Sequence, residues 1–307
     1  MDRVIKQRSA AACMKEGFSF LGKHIRNIIY STWMYIVAVA IFMTIYFITF
    51  EKTITTPITA ENALGILITL YLAYLLYNVC VLFFTGRLFH LFREFRDTQK
   101  VPRLKPFQQF KTTCGMGLRS LVFYIWVMIL SAPGLQLFST LWSWIPQPHS
   151  QFGFWALAIA AMAIAIVAFI SLIPLVHTFY KYVLDGGSFL KMIGKSYGRA
   201  ARHKGLIIAT NMLTVILLSI IMGIVMLPFI IITLASTQSA IGVLLGDEAG
   251  VPSHFNALLY ITYFVTFVVI ITCTIMAYAT LLYLYGSIEA QEDEREKYIN
   301  QTETKES

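Results

Sequence analysis

The sequence is short of charge. Only 13% of its 307 residues are Asp, Glu, Lys or Arg, while 57% are hydrophobic. A soluble domain carries about a quarter charged residues, so this is not an ordinary soluble fold. Cysteine is scarce too. Cys13, Cys80, Cys114 and Cys273 form no CxxC pair, which argues against a disulfide framework and against structural zinc. His24, His90, His149, His177, His203 and His254 are dispersed, with no i, i+4 pair, so helix-borne metal ligands are not expected. There is no HExxH, no GxSxG and no glycine loop of the phosphate-binding kind. These absences lead to an expectation of no catalytic residue, no metal and no cofactor: the chain reads as non-enzymatic.

The apolar residues that are present gather in six blocks, 28–50, 64–86, 121–141, 154–176, 206–234 and 257–285, and none contains Asp, Glu, Lys or Arg. Blocks of roughly 20 residues match the bilayer core. At that length only a helix satisfies its own backbone groups in lipid. The expected fold is all-α: one polytopic domain, residues 1–290, with six transmembrane helices. The acidic tail, 291–307, is expected to continue the last helix briefly and then to be disordered. Spans without ionisable groups disfavour ion-coupled transport. His177, at the end of the fourth block, reads as an interface residue.

Positive charge is confined to one side. Counted by segment, 23 of the 24 Lys and Arg fall on alternate connections. Basic connections stay in the cytoplasm, so both termini are expected there. The net charge of +8 is therefore a matter of orientation and anionic headgroups, and no nucleic-acid partner is expected.

The stretch "SFLKMIGKSYGRAARHKGLI" carries much of that charge. On a helix, Lys191, Lys195, Arg199 and Arg202 share one face, and Phe189, Met192, Ile193, Tyr197 and Ala200 the other. Gly186-Gly187 breaks the chain before it, and Ser188 is placed to cap it. The pattern predicts an interfacial helix with its rings in lipid and its cations among headgroups. Two weaker lead-ins precede the first and third spans. One has Phe18, Leu21 and Ile25 with Lys23 and Arg26; the other has Phe107, Phe110 and Cys114 with Lys111 and Arg119. The chain can thus be read as three units of interfacial helix plus two spans. The eight named cations are the candidate headgroup ligands, with membrane lipids, chiefly anionic, and a membrane protein as expected partners.

Small side chains mark two spans. Ala158, Ala161, Ala165 and Ala168 form a stripe on the fourth, and Thr262, Thr266 and Cys273 on the sixth. Small residues let helix backbones approach, so these two spans are expected at the centre, the stripes serving packing or lining a cavity. Pro133, Pro174 and Pro228 are candidate helix kinks.

The lead-in "SFLKMIGKSYGRAARHKGLI", its counterparts near Phe18 and Phe107, and the tyrosine-rich ends "HTFYKYVLDGG" and "TLLYLYGSIEAQEDE" resemble a known arrangement. It is that of the integral-membrane domain associated with glycerophosphodiester phosphodiesterases, and of related bacterial six-span families of unknown function. The resemblance implies a multi-pass protein of a bacterial cytoplasmic membrane that touches lipids or a membrane partner. The soluble phosphodiesterase domain of some relatives has no counterpart in these residues, so no activity carries over. Two readings follow. One is a non-enzymatic protein binding lipid or a partner through its basic face. The other is a transporter or flippase for an apolar or amphipathic molecule, with a cavity between spans four and six; a membrane enzyme ranks behind both.

Overall fold

The computed structural model describes residues 4–55, 60–144, 155, 159–160, 162–163, 170–246 and 254–306. Most of them are helical, with no strand among them. In chain order the helices are α1 (Ala10–Thr55), α2 (Ala60–Thr98), α3 (Phe110–Trp144), α4 (Leu175–Asp185), α5 (Phe189–Arg202), α6 (Lys204–Leu244) and α7 (Phe255–Glu306). Five of them, α1, α2, α3, α6 and α7, are long and apolar enough to cross a membrane. The fourth expected span lies largely outside the described residues, and with it Ala158, Ala161, Ala165 and Ala168.

The helices are longer than the apolar blocks inside them. The 52 residues of α7 span about 78 Å at 1.5 Å per residue, against a hydrocarbon core of about 30 Å. The excess gathers at one end of the bundle. There the first turns of α1, the last turns of α2 and α7, the start of α3, and the short helices α4 and α5 enclose a core of Phe20, Leu88, Phe89, Phe92, Tyr180, Leu184 and Tyr283. We call this end the basic head. At the opposite end, Phe47, Phe229 and Phe267 join α1, α6 and α7 by ring contacts.

α7 is the central rod, touching α1 along its length and also α6 and α4. Gly17 permits part of this. A methyl group there would stand 2.7 Å from the Thr280 Cα, so α1 and α7 meet backbone to backbone. Thr266 and Cys273 are buried in α7 and Thr262 is half-buried, as a central span six requires.

Several expectations need correction. Only one of the three lead-ins is a helix of its own, α5. The first is simply the start of α1, because nothing between Ala10 and the apolar block breaks the helix. Its Leu21 is buried in the protein core instead of lying in lipid. The third lead-in turns at 106–109 and then runs unbroken into α3 from Phe110. The acidic tail is helical to Glu306. Proline also acts differently at each site. Pro174 sits in the turn that opens α4, whereas α3 and α6 continue through positions 133 and 228.

Candidate functional site

Two features stand out, an apolar crevice and a charged network, with α4 between them. The crevice begins where α2 and α3 cross. A side chain at Gly86 would collide with the Thr113 carbonyl, and one at Gly117 would stand 2.8 Å from the Leu82 carbonyl. The two backbones are in contact there because neither residue has a Cβ. Next to this crossing is a cavity of about 590 Å³. It is walled by Tyr77, Asn78, Val81, Leu82 and Thr85 of α2, by Ser120, Leu121, Phe123, Tyr124 and Val127 of α3, by Leu172, Leu175, Val176 and Phe179, and by Tyr278 of α7. A smaller cavity of about 150 Å³ lies between α1, α2 and α7 and shares Tyr77, Val81, Thr85 and Tyr278 with the first.

The polar groups of the wall are neutral and partly engaged. Asn78 donates its amide N–H to the Tyr74 carbonyl at 2.7 Å, and Ser120 its hydroxyl to Met116 at 3.0 Å. The Tyr180 hydroxyl donates to the Tyr278 carbonyl at 2.7 Å and braces that wall from behind. The expected cavity between spans four and six is met in part: Leu172, Leu175 and Val176 end the expected fourth span and Tyr278 lies in the sixth, but α2 and α3 supply most of the described wall.

The other face of α4 meets charge. Glu289 of α7 pairs with Lys181, lies 2.9 Å from His177 Nε2 and 3.8 Å from Arg199. One turn on, Glu292 pairs with Arg202 and accepts from His203 at 2.8 Å. Arg199 also pairs with Glu296. At the end of α4, Asp185 pairs with Arg96 and accepts from the Tyr285 hydroxyl at 3.2 Å. Glu289, Glu292 and Glu296 recur at spacings of three and four, so one face of α7 carries the anions for α4 and α5. This is why the acidic tail is helical: its carboxylates neutralise cations brought in from about ninety residues away.

His177 is fully buried in this network. Burial pushes its imidazole below the ordinary value, against the pull of Glu289. Its Nε2 stands 2.9 Å from Glu289, and its Nδ1 is 3.3 Å from the Ser196 hydroxyl. Serine, histidine and glutamate stand in the order of a hydrolase relay, yet Ser196 is 1% exposed and does not line the crevice. The contact joins α5 to α4 and α7 inside the protein.

The expected headgroup ligands separate into two sets. Lys191, Lys195, Lys23, Arg26 and Lys111 are exposed. Arg199 and Arg202 are held by carboxylates. Arg119 reaches the Val183 carbonyl at 3.5 Å and stands over Gly186, whose φ of 71° suits glycine. The apolar face of α5 does not lie in lipid. Ile193 and Ala200 are buried in the protein, and Phe189 stacks edge-on against Tyr182 and Trp126. Ser188 occupies the N-cap position but makes no capping hydrogen bond.

Arg87 went unrecognised in the sequence, where it reads as one more loop cation. It is fully buried inside α2. It donates to the carbonyls of Ser31 at 3.2 Å, Gln108 at 2.7 Å and Lys105 at 2.6 Å. Those contacts hold the 99–109 connection to α1, where Asn27, Ser31 and Tyr35 also bond it, one every turn. A second unrecognised group is Glu51, one residue past the first block. It accepts from the Tyr263 hydroxyl at 2.9 Å, and Thr233 is 2.7 Å from the same oxygen. Compared with protein-family models, with curated proteins and with solved structures, the chain shows no match in any of the three.

Proposed function

We propose that this is a non-enzymatic membrane protein that binds a lipid or similar amphipathic molecule, its apolar part seated in the crevice between α2, α3 and α4. The reading takes the basic head as cytoplasmic and the membrane as the bacterial cytoplasmic membrane, in line with the resemblance drawn from the sequence. The observation that carries it is the crevice itself. Its volume of about 590 Å³ falls within the roughly 300–1,000 Å³ of small-molecule sites, and its wall has their make-up, mostly apolar with a few polar groups. Its wall residues come from the parts of α2, α3 and α7 nearest the head, which puts it in the cytoplasmic leaflet under this orientation. Retention of lipid by the protein purified in mild detergent and released in native mass spectrometry tests the reading. Wild type is expected to carry a lipid adduct that Val81→Trp, which fills the crevice, loses. Equal adducts in both proteins would contradict it.

A second reading, contact with anionic headgroups, rests on the exposure of Lys191 and Lys195 beside exposed Leu190 on α5. It predicts that the double variant Lys191→Ala, Lys195→Ala retains fewer anionic lipids but keeps the crevice adduct. An unchanged anionic-lipid count would remove it.

A further inference from the structure

We infer that the crevice selects an uncharged lipid with a small hydroxyl head, of the diacylglycerol class, over a lipid with a phosphate head. The inference rests on the reading of the crevice as a lipid site and adds the chemistry of the head.

A lipid in the leaflet next to the basic head points its own polar group toward that end. There the crevice is closed: α2 and α3 touch at Gly86 and Gly117, with no room for a bulky group between them. The side chains beside the closed end are the buried hydroxyls of Thr85 and Ser120. Ser120 spends its proton on Met116, so at the closed end the Ser120 oxygen can accept from a hydroxyl.

A phosphate would need a cation, and the two nearest in sequence are turned away. Arg87 follows Gly86, but its guanidinium is sealed and holds three carbonyls of the neighbouring connection and α1. Arg119 precedes Ser120, but it faces Val183 and Gly186 behind α4. No charged side chain is among the described wall residues. An anion in this crevice would be buried without a partner, which is strongly unfavourable.

Photolabelling of the full chain in nanodiscs tests this. The probes are diacylglycerol and phosphatidic acid bearing the same photoreactive acyl chain, which differ by the phosphate alone. Diacylglycerol is expected to label peptides covering 74–88 of α2 and 118–128 of α3. Phosphatidic acid is expected to label them at least about tenfold less, the minimum for an unpaired buried charge. Val81→Trp should abolish most of the diacylglycerol label, and Leu121→Trp serves if that variant does not fold. Equal labelling by both probes would overturn the inference and leave the lipid site standing. Labelling by neither probe above the level of the outward face of α6 would overturn the site as well.

Discussion

Helix α2 is built differently in its two halves. In the first, Leu67, Tyr71 and Leu72 are each more than half exposed. In the second, Leu88, Phe89, Leu91 and Phe92 have no exposed surface at all. The residue types are alike; their surroundings are not. In hydrocarbon an outward leucine costs nothing, because lipid is as apolar as a protein core. Past the membrane the same side chain must be covered, at about 25 cal/mol per Å² of apolar surface removed from water. The change in burial along one helix falls near Gly86, and under the proposed orientation that is where α2 leaves the lipid. The head is thus held together as a soluble protein is, by apolar burial and satisfied polar groups, and the spans are held by local backbone contacts.

Substitutions can break that contrast, and the largest effect is expected at Arg87. Arg87→Met leaves the carbonyls of Ser31, Lys105 and Gln108 without their donor. It should cost about 3 kcal/mol or more, read as a lowered unfolding temperature in detergent. Leu72→Ala, facing lipid, should cost less than about 1 kcal/mol in the same assay. Comparable losses would mean that the two halves of α2 are not packed differently.

Gly86→Val comes next. Its side chain has to force α2 off the Thr113 carbonyl, an overpacking cost of about 1–3 kcal/mol, and the crevice lipid should be lost with it. Glu289→Gln removes the shared carboxylate of His177 and Lys181 and should cost about 2 kcal/mol. Glu296→Gln, at the exposed edge of the same network, should cost about 0.5 kcal/mol or less. Double-mutant cycles with Lys181 and Arg199 give the two coupling energies directly.

The smallest effect is that of pH. The folded protein holds His177 below its ordinary value, so the unfolded chain takes up a proton there first as pH falls. The head should therefore be most stable above about pH 6.5 and lose stability progressively below it. His177→Gln should flatten that slope in a pH series of unfolding temperatures.

Much of this was legible in the residues and some was not. Five apolar blocks became long helices because block length and composition are local properties. The break at Gly186-Gly187 was equally local, and both glycines have positive φ. Charge was misread wherever a cation was taken to mark a loop. Arg87, Arg93 and Arg96 lie within α2, since a helix that leaves the membrane need not stop. The tail looked disordered by composition. Glu292 and Glu296 of the tail share a helical face with Glu289 just before it, but their partners on α4 and α5 lie too far away in sequence to be inferred. The α2 and α3 walls of the crevice are set by two separated glycines, Gly86 and Gly117, whose meeting depends on how the two helices cross and cannot be read from either segment alone.

The most direct test of the central claim is an experimental structure of the full chain in lipid nanodiscs. In it α2 and α3 should be in contact at Gly86 and Gly117, with elongated lipid density between them running past Val81 and Tyr124. Helices packed against each other along that whole stretch, with no gap and no density, would contradict it.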